Sequence, residues 1–98
     1  MSSVCKFRLP EGTDRRFIED SLASAAFNAE CVFGKPRMMI SGLAYYVADD
    51  NRHCVIDVSS EVGDHVARIF TGILTNVLGE EGFSVHRIEE ALTGKDGE

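Results

Sequence analysis

Four side chains able to move a proton or hold an anion, Lys6, Arg8, His53 and Asp57, fall on two segments of alternating polarity. In Val4 to Leu9, the residues Cys5, Phe7 and Leu9 point one way, and Val4, Lys6 and Arg8 the other. In His53 to Val58, the residues Cys54, Ile56 and Val58 share one face, leaving His53, Val55 and Asp57 on the other. This period of two is that of half-buried strands. If the strands are neighbours, Arg8, His53 and Asp57 make an alternative polar site, with a base beside a carboxylate and cations. On the same geometry Lys6 meets Asp57 across the strand pair. An open sheet face excludes little water, so the expectation leans against an enzyme and names no catalytic residue.

A second candidate is Glu11-Gly12-Thr13-Asp14-Arg15-Arg16, which leaves a strand and opens a helix. Free amides at a helix start, with two arginines beside them, suit a phosphate or carboxylate. Gly12, Thr13, Arg15 and Arg16 are therefore the candidate ligand-binding residues. Thr13 or Asp14 also serves as an ordinary helix cap there. The histidines His53, His65 and His86 and the cysteines Cys5, Cys31 and Cys54 show no CxxC, HxH or HExxH spacing, so neither a metal nor a cofactor is expected.

These groups are positioned by a series of six elements. Asp14 to about Phe33 carries apolar residues at helical spacing (Ile18, Leu22, Ala25, Ala29, and Val32 or Phe33), ended by Gly34 and Pro36. Arg37 to Ala48 reads as a long strand with Gly42 as a bulge, and Asp49 to Arg52 as a polar turn into the His53 strand. Ser59 or Ser60 caps a second helix with Val62, Val66, Ile69, Phe70, Ile73 and Val77 in one stripe, stopped by Gly79. On its flank, His65, Gly72 and Asn76 suit close packing against the first helix. Phe83 to Ile88 is the last strand, and a polar acidic tail follows residue 90.

Strand, helix, strand, strand, helix, strand in one α+β domain is most economically a ferredoxin-like βαββαβ sandwich. A four-stranded antiparallel sheet, centred on the first and third strands, then has two helices on one face. In the order of its elements the chain resembles regulatory modules such as ACT domains, where the corresponding strand-to-helix turn helps bind small effectors. The glycine-rich anion loop of acylphosphatase and the central aromatics of an RRM have no counterpart here.

With both helices on one face, the other face is left bare. Met39, Leu43, Tyr45 and Val47 are expected to join Val55 there, forming an apolar patch that calls for a contact. Phe27 lies nearly opposite Ile18, Leu22 and Ala29 on the first helix. It is exposed unless the helix ends near Asn28 or Ala91 and Leu92 fold back on it. Phe27, Leu43, Tyr45 and Val55 are the candidate interface, and a second copy of the chain is the simplest cover.

Composition bounds the rest. The chain has 98 residues, 44% of them apolar, and a net charge of −6, which argues against a generic nucleic-acid binder. No apolar run approaches the roughly 20 residues of a membrane helix. Three widely spaced cysteines and no visible signal peptide point to free thiols in the cytoplasm. The expected function is a small self-associating binding module, its partner a second copy, another protein or a small anionic ligand. The alternative is a small enzyme or effector-binding regulatory domain, with an anion or proton-transfer site on the open face or the first strand–helix turn.

Overall fold

The structure, a computed structural model, describes residues 2–90, without the side chains of Ser2 and Glu90. Strand β1 (Ser2–Arg8) is followed by helix α1 (Arg15–Phe33), a short helix α2 (Lys35–Ile40), strands β2 (Tyr45–Val47) and β3 (His53–Asp57), helix α3 (Glu61–Leu78) and strand β4 (Ser84–Glu90). The four strands form one antiparallel sheet in the order β2-β3-β1-β4. It is thus a mixed α+β domain with an open sheet and three helices, not the two expected.

The third helix corrects the reading of Arg37 to Ala48 as one long strand. Gly34 (φ 86°) leaves α1 in a left-handed conformation and serves as the N-cap of α2, with Pro36 inside the first turn. A proline there has no amide to lose and its φ is already helical, so the residue that ends one helix begins the next. Met38 and Leu43 pack against the core, and Ser41–Gly42 turns the chain into a β2 of only three residues. The acidic tail, with Ala91 and Leu92, lies outside the described residues, and β4 runs on through Glu89 and Glu90.

Helices α1 and α3 end where the sequence indicates. Asp14 caps α1 by accepting from the Arg16 N–H at 3.1 Å, and Ser60 caps α3 by accepting from the Gly63 N–H at 3.0 Å. Their apolar stripes meet the sheet face that bears Phe7, Leu9, Cys54, Ile56 and Val58, all buried. Phe7 of β1 and Phe70 of α3 touch edge to face, 4.9 Å between centroids. The α3 stripe rotates along the helix: Ala67 and Leu74 are buried while Val77 is exposed, as 3.6 residues per turn require of a straight helix. On its flank His65 meets the Phe33 ring edge-on at 5.4 Å. Gly72 and Asn76, by contrast, are exposed, so no close approach occurs there.

All three cysteines are free thiols, and Cys54 sits in the core. Burial pushes its thiol up from 9.0 to about 12. Between those values the unfolded chain sheds a proton that the folded chain keeps. The group therefore costs no stability below pH 9 and increasingly favours unfolding from pH 9 to about 12. Urea midpoints measured across that range should fall more steeply for the native chain than for Cys54→Ala; parallel slopes would show that the thiol is not the cause.

Candidate functional site

The face away from the helices is set by the strand register. On β1 and β3, Arg8 lies opposite His53, Lys6 opposite Val55, and Val4 opposite Asp57. On β4, Ser84 lies opposite Arg8, His86 opposite Lys6, and Ile88 opposite Val4. On β2, Tyr46 lies opposite Val55. Along the strands the face therefore runs in three rows: Arg8, His53 and Ser84 at one end, Lys6, His86, Val55 and Tyr46 in the middle, and Val4, Ile88 and Asp57 at the other.

The expected residues divide unevenly over this geometry. Tyr45 pairs with Ile56, and Val47 with Cys54, so both belong to the helix side; Val47 is buried and Tyr45 sits at the sheet edge. Leu43 packs on the core and Met39 protrudes from α2, which leaves Val55 alone of that group on the open face. A slip of one residue reverses every side chain of a strand, and Tyr46 takes the place expected of Tyr45. Phe27 is 65% exposed on the outer side of α1, which continues past Asn28. The expected interface residues therefore do not form one surface.

The alternative polar site is also split. Arg8 and His53 are cross-strand neighbours, but Asp57 is four residues along β3 from His53, roughly 13 Å at about 3.3 Å per residue. His53 instead has Asp50 as its carboxylate, Nδ1 to Oδ2 at 3.0 Å. Asp50 also accepts from the Arg52 N–H at 2.9 Å, and this bond, with the His53 ring, holds its carboxyl below the ordinary aspartate value. Asp57 accepts from the Ser59 N–H at 2.9 Å and forms no ion pair with Lys6, which faces Val55 and His86.

The turn before α1 is committed to structure. Gly12 adopts φ 87°, Thr13 donates its hydroxyl to the Pro10 carbonyl at 2.6 Å, and the Asp14 carboxylate occupies the Arg16 N–H. Arg15 pairs with Glu19 and reaches the Ala48 carbonyl and Asn51 side chain, both at 3.3 Å, tying α1 to the β2–β3 turn. Gly12, Thr13 and Arg15 thus serve the fold, and Arg16 points into solvent beside Asp20.

What remains is the basic end of the open face. Lys6, Arg8, His53, Ser84 and His86 line a depression of about 230 Å³. Around the end of β1 a second depression, about 260 Å³, is lined by Arg8, Leu9, Pro10, Arg52, Phe83 and Ser84, with Glu81 and Gly82. Among the described residues neither Lys6 nor Arg8 is engaged in an ion pair, and the buried Nε of Arg52 has no hydrogen-bond partner. Sequence alone places Arg52 in a polar turn and weighs His86 only as a metal ligand; that His86 stands opposite Lys6 follows only from strand pairing. Among the described residues no group of three or more metal-ligating side chains comes together, and no helix is long and apolar enough to cross a membrane. No protein-family model matches this chain, and no curated protein resembles it in sequence.

Proposed function

We propose that this chain is a binding module without catalytic activity, and that the basic end of its open sheet face takes a small anionic ligand. The observation that supports it is the collection of Lys6, Arg8, His53 and His86 around one depression, in a chain whose net charge is −6. The Lys6 and Arg8 cations repel one another, an anion between them relieves that repulsion, and the two imidazoles beside them can donate hydrogen bonds to it. Among the described residues the carboxylate bonded to the group, Asp50, is spent on His53 at the turn. The depression is open, which suits reversible binding better than a reaction that must exclude water. The strand order with β1 and β3 central, and α1 and α3 over one face, favours a ferredoxin-like sandwich with α2 inserted. The free thiols suit the reducing cytoplasm.

Orthophosphate titrated at low salt should raise the melting temperature of the native chain. At a hundred times its Kd, a ligand of the folded form adds about 2.7 kcal/mol. Arg8→Glu should abolish the rise, and added salt should weaken it. A melting temperature indifferent to orthophosphate would reject the anion site.

A second reading, self-association, is favoured by the rest of the same face. Tyr46 is 61% exposed and Ile88 44%; with the partly buried Val4 and Val55 they give the middle row and the Asp57 row of the face an apolar part. A second copy turned about a two-fold axis across the strands would lay the His53 end of β3 on Asp57 and set Val55 and Tyr46 on their own copies, an isologous contact. Light scattering should then show a dimer for the native chain and for Phe27→Glu, but a monomer for Val55→Glu. A native chain of monomer mass at high concentration removes the dimer.

A further inference from the structure

We propose that the basic site takes a ligand with two adjacent anionic groups, a diphosphate rather than a lone phosphate; this rests on the anion-binding reading above. The reason is the position of Arg8. Arg8 lines both depressions, so it stands where the Lys6–His53–His86 hollow on the sheet face meets the Arg52 hollow around the strand end. Ser84, opposite Arg8 on β4, also lines both and offers a hydroxyl at the junction.

Each hollow has its own cationic equipment. The first has Lys6 and the two imidazoles, and the carboxylate of Asp50 beside it is bonded to Nδ1 of His53. The second has Arg52, whose buried Nε has no partner among the described residues. A buried donor left unpaired is costly, and such groups in a folded protein call for an absent acceptor. The Arg52 carbonyl meanwhile accepts from the Leu9 N–H at 2.6 Å, which fixes the backbone of the arginine against the end of β1. Glu81 lines the same hollow and is exposed, so an anion entering there must sit on the arginine side. A guanidinium presents several N–H groups in a plane and can hold oxygens of two neighbouring phosphates at once. Arg8 in the middle, Arg52 on one side and Lys6 with the histidines on the other match a ligand in which two phosphates share a bridging oxygen.

The test compares inorganic pyrophosphate with orthophosphate on the full chain at low ionic strength, by calorimetry and by amide shifts. Pyrophosphate is expected to bind at least ~10-fold more tightly, one such step being about 1.4 kcal/mol. It should shift amides around Arg8, Arg52, His53, Ser84 and His86 together. Arg52→Met, which keeps the aliphatic stem and the backbone bond to Leu9, should weaken pyrophosphate far more than orthophosphate and so remove that preference. Arg8→Ala should weaken both ligands. Equal affinities for the two ions, or a preference that survives Arg52→Met, would overturn the two-group ligand while leaving the anion site in place. Binding of neither ion would overturn both.

Discussion

Phe70→Ala should lower the melting temperature by more than ~12 °C. Phe7 and Phe70 are fully buried and meet edge to face at the contact between α3 and the central strand β1. Truncating a buried phenylalanine costs about 3–5 kcal/mol, as lost transfer energy and as the cavity left behind. A domain of this size has about 5–15 kcal/mol in hand, and each kcal/mol moves its melting point by about 4–8 °C. Ile18, Leu22, Ile56 and Leu74 belong to the same buried cluster, and a rigid interior refills such a gap only in part. The open face shares the damage. Phe7 alternates with Lys6 and Arg8 on β1, so its seat in the core fixes where those two cations stand. Calorimetry of Phe70→Ala and Phe70→Leu should show the larger loss for alanine; two losses of similar small size would mean that this contact does not anchor the sheet.

The parts of this architecture that sequence reveals are those governed by one strong local signal. The α1 and α3 stripes, the Asp14 and Ser60 caps and the glycines Gly34 and Gly79 each state a boundary in residues a few positions apart. The alternation in β1 and β3 likewise puts Lys6, Arg8, His53 and Val55 on one face without knowledge of their neighbours. Two features lacked such a signal. Lys35 to Val47 mixes methionine, isoleucine, tyrosine and valine, which suit strand and buried helix alike; Pro36 marks a helix start only once Gly34 is known to reverse the chain. Within β2, Tyr45-Tyr46-Val47 has no polar residue to fix its parity, and the pairing of Val47 with Cys54 decides it. The site suffers from the same limit. Arg8 and His53 were legible as facing residues, whereas the contributions of Arg52 and His86 depend on turn geometry and strand pairing, which are tertiary facts.

Two glycines of α3 should respond to the same substitution with opposite signs. In a helix interior, alanine is more favourable than glycine by about 1 kcal/mol, because glycine gives up more backbone freedom on folding. At Gly72 nothing stands within 4 Å of the position a Cβ would take, so Gly72→Ala should stabilise by about that amount. At Gly63, in the first turn of α3, a Cβ would run into the backbone carbonyl of Asp57, the last residue of β3. A backbone oxygen in a paired strand cannot swing aside as the end of a flexible side chain can. The Asp57 amide is tied to the Ala44 carbonyl at 2.9 Å, so relief must come from lifting the start of α3 off the sheet. That movement would also strain the Ser60 cap, whose hydroxyl accepts from the Gly63 N–H itself. Overpacking of this kind costs about 1–3 kcal/mol, enough to outweigh the propensity gain. Urea unfolding should therefore place Gly72→Ala above the native chain and Gly63→Ala below it. A stabilised Gly63→Ala would mean that α3 does not sit this close to the end of β3, and Asp57 would lose its fixed place at the acidic end of the open face.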